Sequence, residues 1–319
     1  MIDLPLVSIA IPVYNEEGNI AVLYSRLHTL ASDMVDECHF EFVFTDNSST
    51  DNTWTMLRNL AAKDSRIRAL RFSKNFGFQR SILANYLHTR GDAVMQIDAD
   101  LQDPPELLRE FLALWRKGYH VVYGIRRARP EGRLIHSFRK IGYWMIDRIS
   151  EHPIPRNAGD FRLVDRKVID ALANQRSAEP YLRGLIAGLG FRQIGITYDR
   201  SARTAGVSKF NVGQLIRLGL TGVFNHSLVP LRLATVAGTV ILSLSALGTV
   251  YYLILKLLFP DFPRGIASLH ILILFGIGFQ SLLLGILGEY LLRIYRILRR
   301  EPIAIIQDAI NLEPEDIKL

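Results

Sequence analysis

The sequence predicts an α/β fold with a mostly parallel central sheet, followed by a C-terminal pair of apolar helices. Three observations carry this. Short apolar runs alternate with amphipathic stretches of roughly ten to fifteen residues, the pattern of repeated βαβ units. A polar loop rich in turn residues follows each run, and in an open α/β sheet such loops collect outside the carboxyl ends of the strands. Past residue 230, formal charge disappears over two long segments.

Leu6 to Val13 reads as a buried strand, and Tyr14-Asn15-Glu16-Glu17-Gly18 as a polar turn before a helix from about Asn19 to Met34. A second strand, His39 to Thr45, opens into Asp46-Asn47-Ser48-Ser49-Thr50-Asp51-Asn52-Thr53. That loop is dense in turn and N-cap residues, so a helix is expected from near Asp51. A third strand, Ile67 to Phe72, leads through Ser73–Gln79 into a helix ending near Thr89. Ala93 to Ile97 follows as a buried strand, and Pro104, Pro105 and Glu106 mark the start of a helix reaching Lys117. Beyond it lie a strand at His120–Ile125, a basic loop, Arg126–Arg133, and a helix over Leu134–Ile149.

Between the fourth strand and its helix stands Asp98-Ala99-Asp100-Leu101-Gln102-Asp103. Two carboxylates one residue apart, with an amide oxygen two further on, form a hard-oxygen set suited to Mg²⁺ or Mn²⁺ carrying a diphosphate. Alone, such a pattern is more often a turn or a helix cap. Three strand ends carry polar loops that converge on one face, and independent elements place Asp46, Asp98 and Asp100 on that rim, which favours a site.

The formal net charge of +7 points to an anionic partner. Cys38 is the single cysteine, so neither an intrachain disulfide nor a thiolate metal cluster can form. The first residues lack a basic segment followed by a cleavable apolar stretch, which predicts a cytoplasmic N-terminal part. The basic residues form no stripe interleaved with stacking aromatics, so no nucleic-acid partner is expected.

Taken together, Pro12-Val13-Tyr14-Asn15-Glu16, Thr45-Asp46-Asn47-Ser48-Ser49, Asn75-Phe76-Gly77 and Asp98-Ala99-Asp100-Leu101-Gln102-Asp103-Pro104 resemble the family 2 glycosyltransferases with the GT-A (Rossmann-like) fold. More narrowly, the chain resembles the GtrB-like bactoprenol and polyprenyl-phosphate glucosyltransferases, relatives of dolichyl-phosphate mannose synthase. The likeness continues through Asp160-Phe161-Arg162-Leu163, Ser208-Lys209-Phe210 and Leu287-Gly288-Glu289-Tyr290. It implies that Pro12, Tyr14, Glu16 and Asp46 line a nucleoside pocket, joined by Asp98 on the nucleotide. It implies too that Asp98, Asp100 and Gln102 hold the metal, and that Asp100 and Asp160 serve catalysis, Asp160 beside the acceptor. One departure is visible: many members carry Asp-Asp-Gly-Ser where this chain has Asp46-Asn47-Ser48-Ser49, so no family role is carried onto Asn47.

Basic side chains near these loops are candidates for the acceptor phosphate, since arginine's planar fork donates two hydrogen bonds to phosphate oxygens. They are Arg126, Arg127 and Arg133 in the basic loop, Arg162 beside Asp160, and Arg200, Arg203 and Lys209 in a Gly- and Ser-bearing segment suited to a mobile flap. A phosphate monoester, with a second pKa near 6, is largely ionised at pH 7 and needs little help from a base. Asp160 is therefore either a base or an orienting group.

Between Arg232 and Lys256, and between Arg264 and Glu289, no Asp, Glu, Lys or Arg occurs. Each run is long enough, as helix, to span roughly 30 Å of hydrocarbon. The expected organisation is a catalytic domain at 1–210, an interfacial amphipathic segment at 211–230, transmembrane helices at 231–258 and 266–292, and a tail at 293–319. Arg293, Arg296, Arg299 and Arg300 after the second run, with Lys209, Arg217 and Arg232 before the first, predict cytoplasmic ends in a bacterial inner membrane. Ser281, Gly285, Gly278 and Gly288 would permit close helix approach, including homo-oligomerisation.

The expected activity is inverting, metal-dependent transfer of a hexose, glucose from UDP-glucose first, to polyprenyl (undecaprenyl) phosphate at a membrane. The alternatives are the same reaction with mannose, N-acetylhexosamine or a formylated aminoarabinose, and a non-catalytic nucleotide-binding scaffold.

Overall fold

The computed structural model describes residues 4–127, 158–174, 181–200, 265–298 and 302–312, with scattered positions between 236 and 258. The chain divides into two compact units: residues 1–147, 152–209 and 300–319 form one, and residues 148–151 and 210–299 the other.

The first unit is built on one sheet with helices on both faces. Its strands are β1 (Leu6–Val13), β2 (His39–Asp46), β3 (Ile67–Phe72), β4 (Ala93–Gln96), β5 (Val121–Arg126), β6 (Ala158–Asp165), β7 (Gln193–Tyr198) and β8 (Ile306–Ile310). They lie in the order β7-β5-β6-β4-β1-β2-β3-β8. Helices α1 (Glu17–Asp33), α2 (Thr53–Ala61) and α4 (Leu108–Arg116) pack apolar residues such as Leu23, Leu57 and Phe111 against Phe42, Phe44 and Ile11. On the opposite face α3 (Phe78–Leu87), α5 (Arg166–Ala173) and α6 (Leu182–Gly188) cover Ala10, Val94 and Val164. Because side chains alternate along a strand, near-continuous apolar runs such as Leu6–Val13 supply both layers at once.

The sheet is mixed, which corrects the expectation of a mostly parallel one. The core β3-β2-β1-β4 is parallel, but β6 runs antiparallel to both β4 and β5, and β8 antiparallel to β3. The β6 segment was not legible as a strand, because Gly159, Asp160, Arg162 and Asp165 break its apolar pattern. Residues 306–310, expected in a tail, add an edge strand instead. Asn311 Nδ2 donates to the Ile67 carbonyl at 2.8 Å, and Ala304 packs with Phe72 and Ala84.

The second unit contains α7 (Ile266–Leu298), with exposed Leu269, Leu272 and Ile277. Among the described residues, no helix is long and apolar enough to cross a membrane. This corrects the expectation of transmembrane helices at 266–292 and at 231–258, most of which lies outside the described residues, and with it the integral-membrane arrangement with cytoplasmic ends. Absence of formal charge is a weaker condition than all-round apolarity: α7 carries His270, Gln280, Ser281 and glycines at 276, 278, 285 and 288. The expected helix at 134–149 and the segment 211–230 lie outside the described residues.

At the end of the sheet where the parallel strands begin, a buried polar network ties five segments together. Glu41 Oε2 lies 3.1 Å from Arg68 Nη1, while Glu41 Oε1 accepts from Ser8 Oγ at 2.5 Å and the Arg90 amide at 2.6 Å. Arg68 also donates to the carbonyls of His88 and Asn311. Both charged side chains are under 10% exposed. Removing one partner of such a pair leaves the other charge buried and uncompensated. Glu41→Ala should therefore lower unfolding free energy by about 3–5 kcal/mol in urea titrations. Glu41→Met with Arg68→Met should lose clearly less; an equal or larger loss would show that the pair is not the stabilising element.

Candidate active site

In the strand order β3-β2-β1-β4, the chain winds outward from β1 through β2 to β3 and then crosses to the other side of β1. The two loops flanking that reversal diverge to opposite sides of the sheet and leave a crevice at the strand ends. A cleft of about 300 Å³ lies there, lined by Pro12 at the end of β1, Tyr14 and Glu16 after it, Asn47 after β2, Asn75 and Phe78 after β3, and Asp98 and Asp100 after β4.

Each wall is held by its own hydrogen bonds. Asn15 takes the left-handed backbone conformation, φ 55°. Its amide donates to Ser49 Oγ at 2.9 Å, and its side-chain oxygen accepts from the Thr50 amide at 2.8 Å. This fixes the β1 loop to the β2 loop and leaves Tyr14 45% exposed at the cleft. Glu16 accepts from Asn19 Nδ2 at 2.6 Å. Asn47 is buried, donating to Asn75 Oδ1 at 2.9 Å and accepting from the Phe76 amide at 2.8 Å. An aspartate could not donate that first bond, which gives the departure at Asn47 a structural use.

Asp46 is fully buried and stands behind the cleft wall. One oxygen accepts from the Ser49 amide at 2.9 Å and the other lies 3.3 Å from Arg71 Nε. Burial raises its pKa against the opposing pull of Ser49 and Arg71.

Asp98 and Asp100 both face the cleft, and the loop carrying them turns at Leu101, a buried residue held at φ 61°. A leucine rarely adopts that conformation, so the acid loop is strained where its second carboxylate is presented. Burial, with the carboxylates of Asp103, Asp100 and Asp160 nearby, pushes Asp98 up to about 7. Gln96 Nε2 supports it at 3.0 Å. Gln102 is buried, does not line the cleft, and gives its amide to Asp100 Oδ1 at 3.2 Å. Among the described residues, no group of three or more His, Cys, Asp or Glu is arranged to hold a metal ion. The donor set is thus a crowded carboxylate pair, which fits a divalent cation whose remaining ligands are phosphate oxygens and water.

The antiparallel course of β6 brings Asp160 to the same rim. Arg162 pairs with Gln96 at the end of β4, so Asp160 extends past it, level with the acid loop. Asp160 accepts from Gln79 Nε2 at 3.2 Å and lies 3.2 Å from Arg183 Nε and 3.8 Å from Arg162 Nη2. Gln79 and Arg183 carry no signal in the sequence, since neither sits in a recognisable motif.

The basic candidates separate. Arg126 and Arg200 reach the acid loop: Arg126 Nη2 lies 3.5 Å from Asp103, and Arg200 lies 3.2 Å from Asp103 and 3.6 Å from Asp100. Arg127 forms an exposed pair with Asp199 at 2.8 Å. Arg162 is buried and donates to the Gly159 carbonyl. Arg133, Arg203 and Lys209 lie outside the described residues.

Residues 8–173 match the description of glycosyl transferase family 2. An uncharacterized glycosyltransferase of Synechocystis sp., sll0501, is 39% identical over 309 residues, covering 96% of each chain. The SfII prophage-derived bactoprenol glucosyl transferase of Shigella flexneri is 34% identical over 302 residues, covering 94% of this chain and 97% of that protein. A solved structure of the mannosyltransferase PcManGT from Pyrobaculum calidifontis, in complex with GDP-Man and Mn²⁺, shares 18% identity and a TM-score of 0.50. It covers 70% of this chain and 64% of its own, a likeness of fold. With a match over more than half its length and relatives collinear with nearly all of it, the chain belongs to glycosyl transferase family 2, as a glycosyltransferase related to the bactoprenol glucosyl transferases.

Proposed function

We propose that this glycosyltransferase moves a hexose, glucose from UDP-glucose, onto polyprenyl phosphate with inversion at the anomeric carbon. The observation that carries the reading is the meeting of three carboxylates, Asp98, Asp100 and Asp160, from a parallel strand end and an antiparallel strand start beside one cleft. The relatives named as bactoprenol glucosyl transferases support the acceptor.

Pro12, Tyr14 and Glu16 form the wall for the nucleoside, with Asp46 supporting the loop from behind. Asp98 and Asp100 would hold Mg²⁺ or Mn²⁺, which stabilises the charge of the departing nucleoside diphosphate. The acceptor phosphate, already ionised near neutral pH, attacks the anomeric carbon opposite the leaving group. Asp160 sits among Gln79, Arg183 and Arg162, an arrangement that supports orienting the acceptor over taking a proton. Arg126 and Arg200 meet the acceptor phosphate, with Arg133, Arg203 and Lys209 joining them on the sequence argument alone.

Purified protein with undecaprenyl phosphate dispersed in detergent, Mg²⁺ or Mn²⁺, and a panel of labelled UDP- and GDP-sugars should place label in the lipid extract from UDP-glucose. Asp100→Ala should reduce it by roughly 10²–10³. Nucleotide binding without transfer from any donor would move the reading to a scaffold.

Asp98 gives a second expectation with a definite sign. Its folded pKa is raised, so its contribution to stability is present below about 4 and is lost as pH rises through about 7. With metal supplied, Asp98→Asn should lose transfer; with metal removed, it should melt higher than the parent at pH 8, the gain vanishing near pH 4. A variant that melts lower at pH 8 would show that the carboxylates are not in conflict.

A further inference from the structure

Asp103 belongs to the acid stretch but does not line the cleft. It is fully buried, and three donors from two other strand ends converge on it. Tyr198 Oη donates to Oδ1 at 2.6 Å and Arg200 Nε to the same oxygen at 3.2 Å, while Arg126 Nη2 lies 3.5 Å from Oδ2. Arg126 Nε further donates to Tyr198 Oη at 3.3 Å, closing the set.

The surrounding backbone is shaped around these side chains. A Cβ on Gly159 would come within 2.6 Å of Arg126 Nη2, and one on Gly124 within 2.6 Å of the Tyr198 ring. That ring packs edge-on against Phe161, with centroids 5.3 Å apart. Room for the guanidinium and for the phenol thus depends on two glycines in adjacent strands.

We propose that Asp103 is the positioning residue for Arg126 and Arg200, holding both guanidinium groups at the cleft rim as a preformed receptor for phosphate oxygens. The inference rests on the proposed reaction only for the identity of the phosphate. A planar fork gripped along one edge is oriented along the other, so less freedom is lost when an anion binds. The same guanidinium also pairs with Asp100, Nη2 lying 3.6 Å from Oδ2, so Arg200 is held between the two carboxylates of the acid loop. On the proposed reaction this phosphate is the monoester of the acceptor; the diphosphate of the donor presents the same oxygens and is the other source that the test distinguishes.

Asp103→Asn keeps shape and an acceptor while removing the charge. It should raise KM for the phosphate-bearing ligand about tenfold with kcat changed less than about threefold. Titrating nucleotide sugar and polyprenyl phosphate separately tells which phosphate is held. In an Arg126→Ala, Arg200→Ala background, Asp103→Asn should add no further loss, because the groups it positions are gone. Tyr198→Phe, which deletes one donor and keeps the carboxylate, serves if Asp103→Asn does not fold, and should raise the same KM by about threefold. UDP affinity by calorimetry separates this inference from the reaction itself. A parent protein that transfers nothing to lipid, with Asp103→Asn weakening UDP about tenfold, supports the positioning role and ends the polyprenyl reading. Unchanged KM values and UDP affinity, or an undiminished effect in the arginine-free background, would overturn the proposal.

Discussion

One strand running against its neighbours determines what this cleft can do. A purely parallel sheet would place every strand end of one polarity at the rim, and each would deliver a loop that leaves the sheet there. By entering antiparallel beside β4, β6 starts where β4 stops and sets Asp160 across from the Asp98–Asp100 loop. β5 and β7 complete the arrangement, because they end at the same rim and bring Arg126, Tyr198 and Arg200 to it. The opposite end of the sheet is pinned by Glu41 and Arg68, so the rim loops project from a frame fixed at its base.

The rim stores electrostatic and conformational energy. Asp98 is surrounded by other carboxylates, Leu101 is held in a left-handed conformation, and Asp46 is buried with a single arginine for partial compensation. Each feature opposes stability locally and is tolerated because the apolar layers on both faces are extensive. Such conflicts are relieved when a ligand supplies the missing charge, so binding energy and local folding energy are coupled at this loop.

Much of this was readable from the sequence. The strands at Leu6–Val13 and Ala93–Gln96 announce themselves by nearly continuous apolar runs, Ile67–Phe72 by apolar residues around Arg68 and Arg71, and the loops behind them by Asn, Asp, Ser and Pro. The acid stretch is conspicuous for the same reason. What escaped depends on pairing between distant segments. β6 carries its function on the strand itself, with Asp160 and Arg162 interrupting the apolar period, and β8 is a short edge strand in a polar tail. Asp103, Gln79 and Arg183 acquire significance only from what lies across from them, which no local pattern encodes. The charge-free runs misled for a related reason: composition was read as topology.

The edge strand at 306–310 alters how the chain reaches its final form. β3 is complete by residue 72, yet its outer neighbour is made more than two hundred residues later, and Arg68 bonds to a carbonyl at Asn311 across 243 positions. During synthesis that flank of the sheet stands open while more than two hundred residues emerge, exposing unpaired amide and carbonyl groups along β3. This flank of the enzyme's sheet therefore closes late, through contacts that loop closure makes the most demanding.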